Sequence, residues 1–233
     1  VWKFLGDIFR AFLGSRAPFI GLLFAALPAG AYALGLALQS NLAVELGLDD
    51  TKVGVLNLWS SVISALGCVA GGWLSDRFGR RRMLALFLAG TAVPTFYLAH
   101  VMQRVGWIMS VDPQMANRPM PSEALVATFW WAVMIYSVFQ GLMYGNRTAL
   151  FMDVTTPRVA ATQFTAYMAL LNLVIAYSAS WQGLAVERWG YPTTLALDGA
   201  AGLLGIALLP LMGAARSRAR GRPGEAIPEA ISP

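Results

Sequence analysis

Hydrophobic and polar positions alternate along this chain in long blocks: extended apolar runs are separated by short charged turns, the pattern of helices that cross about 30 Å of hydrocarbon. Six runs are long enough, at about 19–44, 52–75, 83–102, 123–151, 157–185 and 193–212. The turns carry their own local chemistry. Pro18 stands near the start of the first run, Asp49 or Asp50 is placed to cap the second, and Thr156 before Pro157 is placed to cap the fifth. Pro28 and Pro94 fall inside runs one and three and predict kinks, because proline removes a backbone donor. Gln103 to Ser122, with Gly106, Pro113, Pro119 and Pro121, reads as a loop, and Glu187 to Pro192 as a turn.

The pattern therefore predicts an all-α integral membrane fold, a bundle of six transmembrane helices over residues 17–213. Residues 1–16 mix Trp2, Leu5, Phe9, Phe12 and Leu13 with Lys3, Asp7 and Arg10, an amphipathic segment suited to the cytoplasmic interface. Residues 214–233 are charged and proline-rich, and read as a disordered basic tail.

Composition agrees with the pattern. The chain is 57% hydrophobic and 12% charged, where a soluble domain carries about 25% charged residues, and its mean hydropathy is +0.58. A net charge of +5 could suggest nucleic acid, but the basic residues sit in turns and do not interleave with aromatics, so no nucleic-acid partner is expected. Cys68 and His100 are the only residues of their types, which argues against thiolate clusters, histidine-rich metal sites and thiol catalysis. No Gly-x-Ser-Gly surrounds a serine, so an intramembrane serine protease is not supported. We expect no enzyme chemistry, no metal and no cofactor.

Charge also orients the runs. Twelve of the seventeen Lys and Arg residues fall on one side, in the segments of Lys3, Arg10, Arg16, Arg77 to Arg82, Arg158 and the tail, against four on the other. Both ends are therefore expected to be cytoplasmic, in a plasma (inner) membrane, with the lipid bilayer as first partner.

The densest charge lies in Gly72-Trp73-Leu74-Ser75-Asp76-Arg77-Phe78-Gly79-Arg80-Arg81-Arg82, between runs two and three. Gly72 is suited to close helix approach, Asp76 to accepting hydrogen bonds from a neighbouring helix N-terminus, and Gly79 to a positive φ. Arg77, Arg80, Arg81 and Arg82 offer donor forks to carboxylates or phosphates. A plain basic loop obeying the positive-inside bias would also account for them. The stretch resembles the signature loop of the major facilitator superfamily, G-x-x-x-D-R-x-G-R-R-R, with every position filled.

That resemblance implies a conformational latch at this loop. It also makes six spans one half of a twelve-span transporter whose halves enclose the solute site. The amphipathic lead without a start methionine and the basic tail suggest a fragment, the C-terminal half of that transporter, whose partner would be the missing N-terminal half or a second copy. Met152 to Arg158, Ala161-Thr162-Gln163-Phe164, Gly71 to Leu74 and Gly190-Tyr191 further resemble the peptide and acetyl-coenzyme A transporter family, which includes muropeptide permeases.

Polar residues on shared helical faces are the candidates for a solute path, since lipid-facing positions stay apolar. Run one offers Pro28, Tyr32, Gly35 and Gln39 at helical spacing. Run two offers Asn57 and then Ser60, Ser61, Ser64, Gly67 and Gly71, of which the later residues equally suit helix packing. Run four offers Tyr136, Ser137, Gln140, Tyr144 and Arg147, and run five Asn172. Arg147 reads either as a clamp for a carboxylate or phosphate of an anionic solute or as a side chain snorkelling to the inner interface. Asp198 in run six reads as a packing or helix-start residue, with ion coupling as the second reading, and a direct Arg147–Asp198 ion pair is not expected. Asp153 is expected to cap its loop or pair with Arg158.

The function these features point to is secondary active transport of a small solute by alternating access. The alternatives are a six-span scaffold or sensor and, within transporters, a sugar or drug facilitator.

Overall fold

The computed structural model describes residues 12–14, 16–112 and 119–213, and of Arg158 only the backbone. The expected interfacial segment and basic tail lie largely or wholly outside these residues. The described residues are all-helical. We number the helices α1 (Arg16–Ala26), α2 (Ala37–Glu45), α3 (Asp50–Phe78), α4 (Arg80–Val105), α5 (Glu123–Val154) and α6 (Ala160–Leu208).

Helix boundaries follow local chemistry. The Asp49 side chain accepts the Lys52 N–H at 2.8 Å and starts α3; this bond to the charged form holds the Asp49 carboxyl below its ordinary range. Ser122 does the same for α5, accepting the Leu125 N–H at 3.2 Å. Thr156, expected to cap the helix beyond it, makes no side-chain cap bond. Its own N–H donates instead to Gln163 Oε1 at 2.6 Å. Gly79, with φ of 95°, turns α3 directly into α4, a backbone angle that side-chain-bearing residues rarely adopt.

Four helices, α3 to α6, are long and apolar enough to cross a membrane. Their outer surfaces suit lipid: Leu66 is 68% exposed and Val69 76%. With its 49 residues, α6 would run roughly 70 Å at 1.5 Å per residue, more than two hydrocarbon thicknesses. It leaves helical geometry at Gly190, with φ of 77° and ψ of 173°, so the turn expected across Glu187 to Pro192 contracts to one residue. We call residues 160–189 its first limb and residues 191–208 its second.

The first apolar run departs most from expectation. It is not one kinked helix over 19–44 but two short helices, α1 and α2, joined by non-helical backbone and a 3-10 turn at Ala33–Gly35. Pro28 disfavours helix at the preceding residue, and Gly30 has φ of 95°. Breaking a helix in a membrane frees donors and acceptors that lipid cannot satisfy. Here other helices satisfy them: the Gly30 N–H donates to Gly202 O at 2.9 Å, the Ala31 N–H to Thr91 Oγ1 at 3.0 Å, and the Tyr32 and Ala33 N–H groups to Asp198 Oδ2 at 2.7 and 2.9 Å. Tyr136 donates its hydroxyl to Ala31 O at 2.8 Å, and Tyr177 donates to Ala26 O at 2.9 Å.

Two apolar clusters fill the bundle. One gathers Leu34, Leu42, Met102, Phe129, Tyr136 and Leu195; the other gathers Phe24, Leu88, Phe151, Tyr167 and Leu171. Along the helices the changeover between them falls at residue 30, within 88–98 of α4 and within 136–143 of α5. The buried polar residues Thr91, Thr95 and Ser137 lie in this zone.

Packing also corrects the glycines. A side-chain carbon on Gly72 would meet nothing within 4 Å. Gly71 is the residue of close approach, its backbone lying against Leu142, while Gly141 lies against Ser64 and Gly145 against Cys68. These small residues bring α3 against α5, so span two packs chiefly on span four rather than on span three.

Candidate functional site

The first arrangement is built where α3, α4 and α5 end together. Gly79 reverses the chain so that Arg80, in the first turn of α4, reaches back to α3 and across to α5. Its Nε and Nη2 donate to Asp76 Oδ1 at 3.1 and 2.8 Å, and its Nη1 lies 2.9 Å from Asp153 Oδ2. Nη1 also donates to Ala149 O at 3.3 Å. Asn146 returns a bond from Nδ2 to Arg80 O at 2.8 Å. Asp76 thus takes a guanidinium rather than a helix N-terminus, and Asp153 pairs with Arg80; its expected pairing with Arg158 lies outside the described side chains. Arg77 instead packs over the Trp73 and Phe78 rings, 5.9 Å from each centroid. Arg81 and Arg82 line a cavity of about 570 Å³ with Ser75, Asp76, Leu150 and Asp153.

The second arrangement is a polar cavity of about 360 Å³ lined by Gln39, Asn57, Gln140, Ser60, Ser61, Ser64 and Ser137. The break in the first run aims Gln39 here, and its Nε2 donates to Asn57 Oδ1 at 3.3 Å. Ser61 Oγ donates to Asn57 O at 2.8 Å, while Ser60 Oγ is buried without a partner. Ser64 contributes to both the cavity and the glycine contact, so the stripe on run two serves lining at one end and packing at the other.

The third arrangement joins Arg147, Tyr32 and Asp198. Arg147 is 4% exposed, donates from Nη1 to Tyr32 Oη at 3.0 Å, and stands 5.7 Å from the Tyr144 ring centroid. Its Nε has no partner, and among the described residues no carboxylate lies within ion-pair distance of it. A buried cation so placed can accept an anionic group. Asp198 is 2% exposed and accepts Gln182 Nε2 at 2.7 Å in addition to the two backbone amides. It holds the broken run rather than starting a helix, and no Arg147–Asp198 ion pair forms.

The candidate solute-path residues thus divide. Gln39, Asn57 and Gln140 meet in one cavity, Tyr32 and Arg147 meet at the break, Tyr144 flanks Arg147 from an exposed position, and Asn172 is exposed and joins neither group. Sequence reasoning missed Gln182 and Thr91 as partners of the break. The available signal was polarity within an apolar run, with Ser178 and Gln182 one helical turn apart. Among the described residues, no group of three His, Cys, Asp or Glu is placed to hold a metal ion.

Apolar helices long enough to cross a membrane, packed around buried polar residues, define an integral membrane protein. The family model of the Major Facilitator Superfamily matches residues 19–233, and the chain belongs to that family of membrane transporters. Comparisons with curated proteins and with solved structures return no match.

Proposed function

We propose that the chain forms one six-span half of a twelve-span secondary transporter that moves an anionic solute by alternating access. In this reading α1 and α2 together make one broken span, and the two limbs of α6 make the last two. The charge count supports placing the Gly79 loop and both ends on the cytoplasmic side of the plasma (inner) membrane. The cavity of Gln39, Asn57 and Gln140 is the solute path, and the loop from Gly72 to Arg82 is a latch, with the Asp76–Arg80–Asp153 bridge holding three helix ends in one of two states. Peptides and acyl-coenzyme A, the solute classes suggested by the sequence resemblance, both carry the anionic groups this site would take.

Arg147 carries the reading. An arginine within a membrane span costs up to roughly 2.5–3.5 kcal/mol on insertion scales, and here no carboxylate offsets it among the described residues. A solute carboxylate or phosphate would supply the missing charge.

Uptake of radiolabelled di- and tripeptides and acyl-coenzyme A into proteoliposomes carrying the full gene product tests this. We expect saturable uptake, with half-saturation raised at least about tenfold in Arg147→Gln, the scale of one charge-assisted contact. Unchanged affinity in that variant overturns the anionic reading. A second six-span segment upstream in the same gene is expected; its absence would leave a second copy of this chain as the other half.

A further inference from the structure

We propose that Asp198, Gln182 and the break in the first hydrophobic run form a proton-operated joint, tied through Tyr32 to Arg147; the inference rests on the transport reading above. Asp198 is buried, and among the described residues no Lys, Arg or His stands within ion-pair distance of it. Its charge is held by three donors instead: the Tyr32 and Ala33 N–H groups on Oδ2, and Gln182 Nε2 on Oδ1. The titratable or charged groups on the surrounding elements are Tyr32 at the break, Tyr136 and Arg147 on α5, and Tyr177 on the first limb of α6. From α4 come the neutral Thr91 and Thr95.

A proton fits this centre better than a metal ion. Both carboxylate oxygens already accept hydrogen bonds, and the acceptors left over, Gln182 Oε1 and Ser178 Oγ, fall short of the roughly six oxygens a hard cation needs. Those two atoms are buried without partners on side chains with no exposed surface, one helical turn apart on α6. Gln182 Oε1, on the side chain that already touches Asp198, supplies the acceptor a neutral acid requires. A hydronium ion gives its proton to Asp198 Oδ1 and leaves as water. The Gln182 amide then rotates, so that Oε1 accepts the new O–H and Nε2 turns away.

The consequence reaches Arg147. Once Asp198 is neutral, the Tyr32 and Ala33 N–H groups lose their charge-assisted acceptor, which weakens the anchoring of the break. Tyr32 also accepts the Arg147 guanidinium through its hydroxyl. Protonation of Asp198 therefore shifts the segment that positions the arginine, which couples a proton to an anionic solute through one residue.

The test needs no solute. The full chain in lipid nanodiscs is followed across pH by amide hydrogen exchange, corrected for intrinsic rates, and by infrared spectroscopy. As pH falls, protection of the Tyr32 and Ala33 amides should drop at least roughly tenfold, the scale of a lost charge-assisted hydrogen bond, while a carboxylic-acid C=O band grows in. The Ala31 amide, held by Thr91, should not respond. Asp198→Asn should lack the band and show low protection at every pH. Tyr32→Phe should keep the amide response but abolish the pH-dependent shift of the Arg147 side-chain nitrogens seen by ¹⁵N NMR. Flat protection across pH in the unaltered chain, or a band that survives Asp198→Asn, overturns the proposal, even if Asp198→Asn proves too unstable to study by exchange. Solute uptake is measured separately, so failure of the transport reading and failure of the joint are distinguishable.

Discussion

The Tyr32 N–H and the Asp198 carboxylate, 166 residues apart in sequence, meet at 2.7 Å inside the helical bundle. The contact closes the first hydrophobic run onto the last, and it stands where a helix would otherwise have satisfied its own backbone. A broken helix needs such partners in lipid, so side chains on α4, α5 and α6 are committed to one short stretch of chain.

Thr91 is one of those partners, accepting the Ala31 N–H and donating to Leu88 O. Thr91→Val preserves shape and removes both bonds. Leaving the Ala31 donor buried and unpaired should cost about 1–3 kcal/mol, read as a lower midpoint in thermal unfolding of the detergent-solubilised protein.

The latch makes a separate claim. Asp76→Ala deprives Arg80 of two bonds but leaves every apolar run intact. Membrane insertion should be unchanged while uptake falls roughly tenfold, within the 1–3 kcal/mol typical of coupling between states. Normal uptake in Asp76→Ala would dismiss the latch.

Adjacent glycines give a sharper contrast. Gly71→Leu forces a side chain against the Leu142 backbone, and overpacking of this kind costs about 1–3 kcal/mol or more. Gly72→Ala meets open space and gains helix propensity, so its midpoint should match or exceed the unaltered protein's. The two melting curves decide which glycine makes the contact.

Asp49 predicts a pH dependence. Its carboxyl is held below its ordinary value of 3.8 by the Lys52 N–H, so the ionised form belongs to the folded state. The sign follows: its contribution is fully present above the unfolded value and is lost as pH falls through the lower folded value. The melting difference between the unaltered protein and Asp49→Ala should be level near neutrality and shrink below about pH 4, the ordinary carboxylate range.

The apolar runs, the turn at Gly79, a cap at Asp49 or Asp50 and the arginine loop were legible in the sequence, because hydropathy, caps and positive φ are properties of neighbouring residues. Pairing was not legible. Pro28 announced a disturbance, but whether it would be a kink or a full break depended on Asp198, Thr91, Tyr136 and Gly202 being there to take the freed groups. Gly71 and Gly72 are equal candidates in the chain, and only the rotation of α3 against α5 chose between them. Arg80 likewise found Asp153 through helix ends brought side by side. The sequence by itself determined where the apolar runs and the charged turns fall; the tertiary structure decided where the first run breaks and which distant polar groups complete each other, because in a bilayer an unpaired group must find its partner inside the protein.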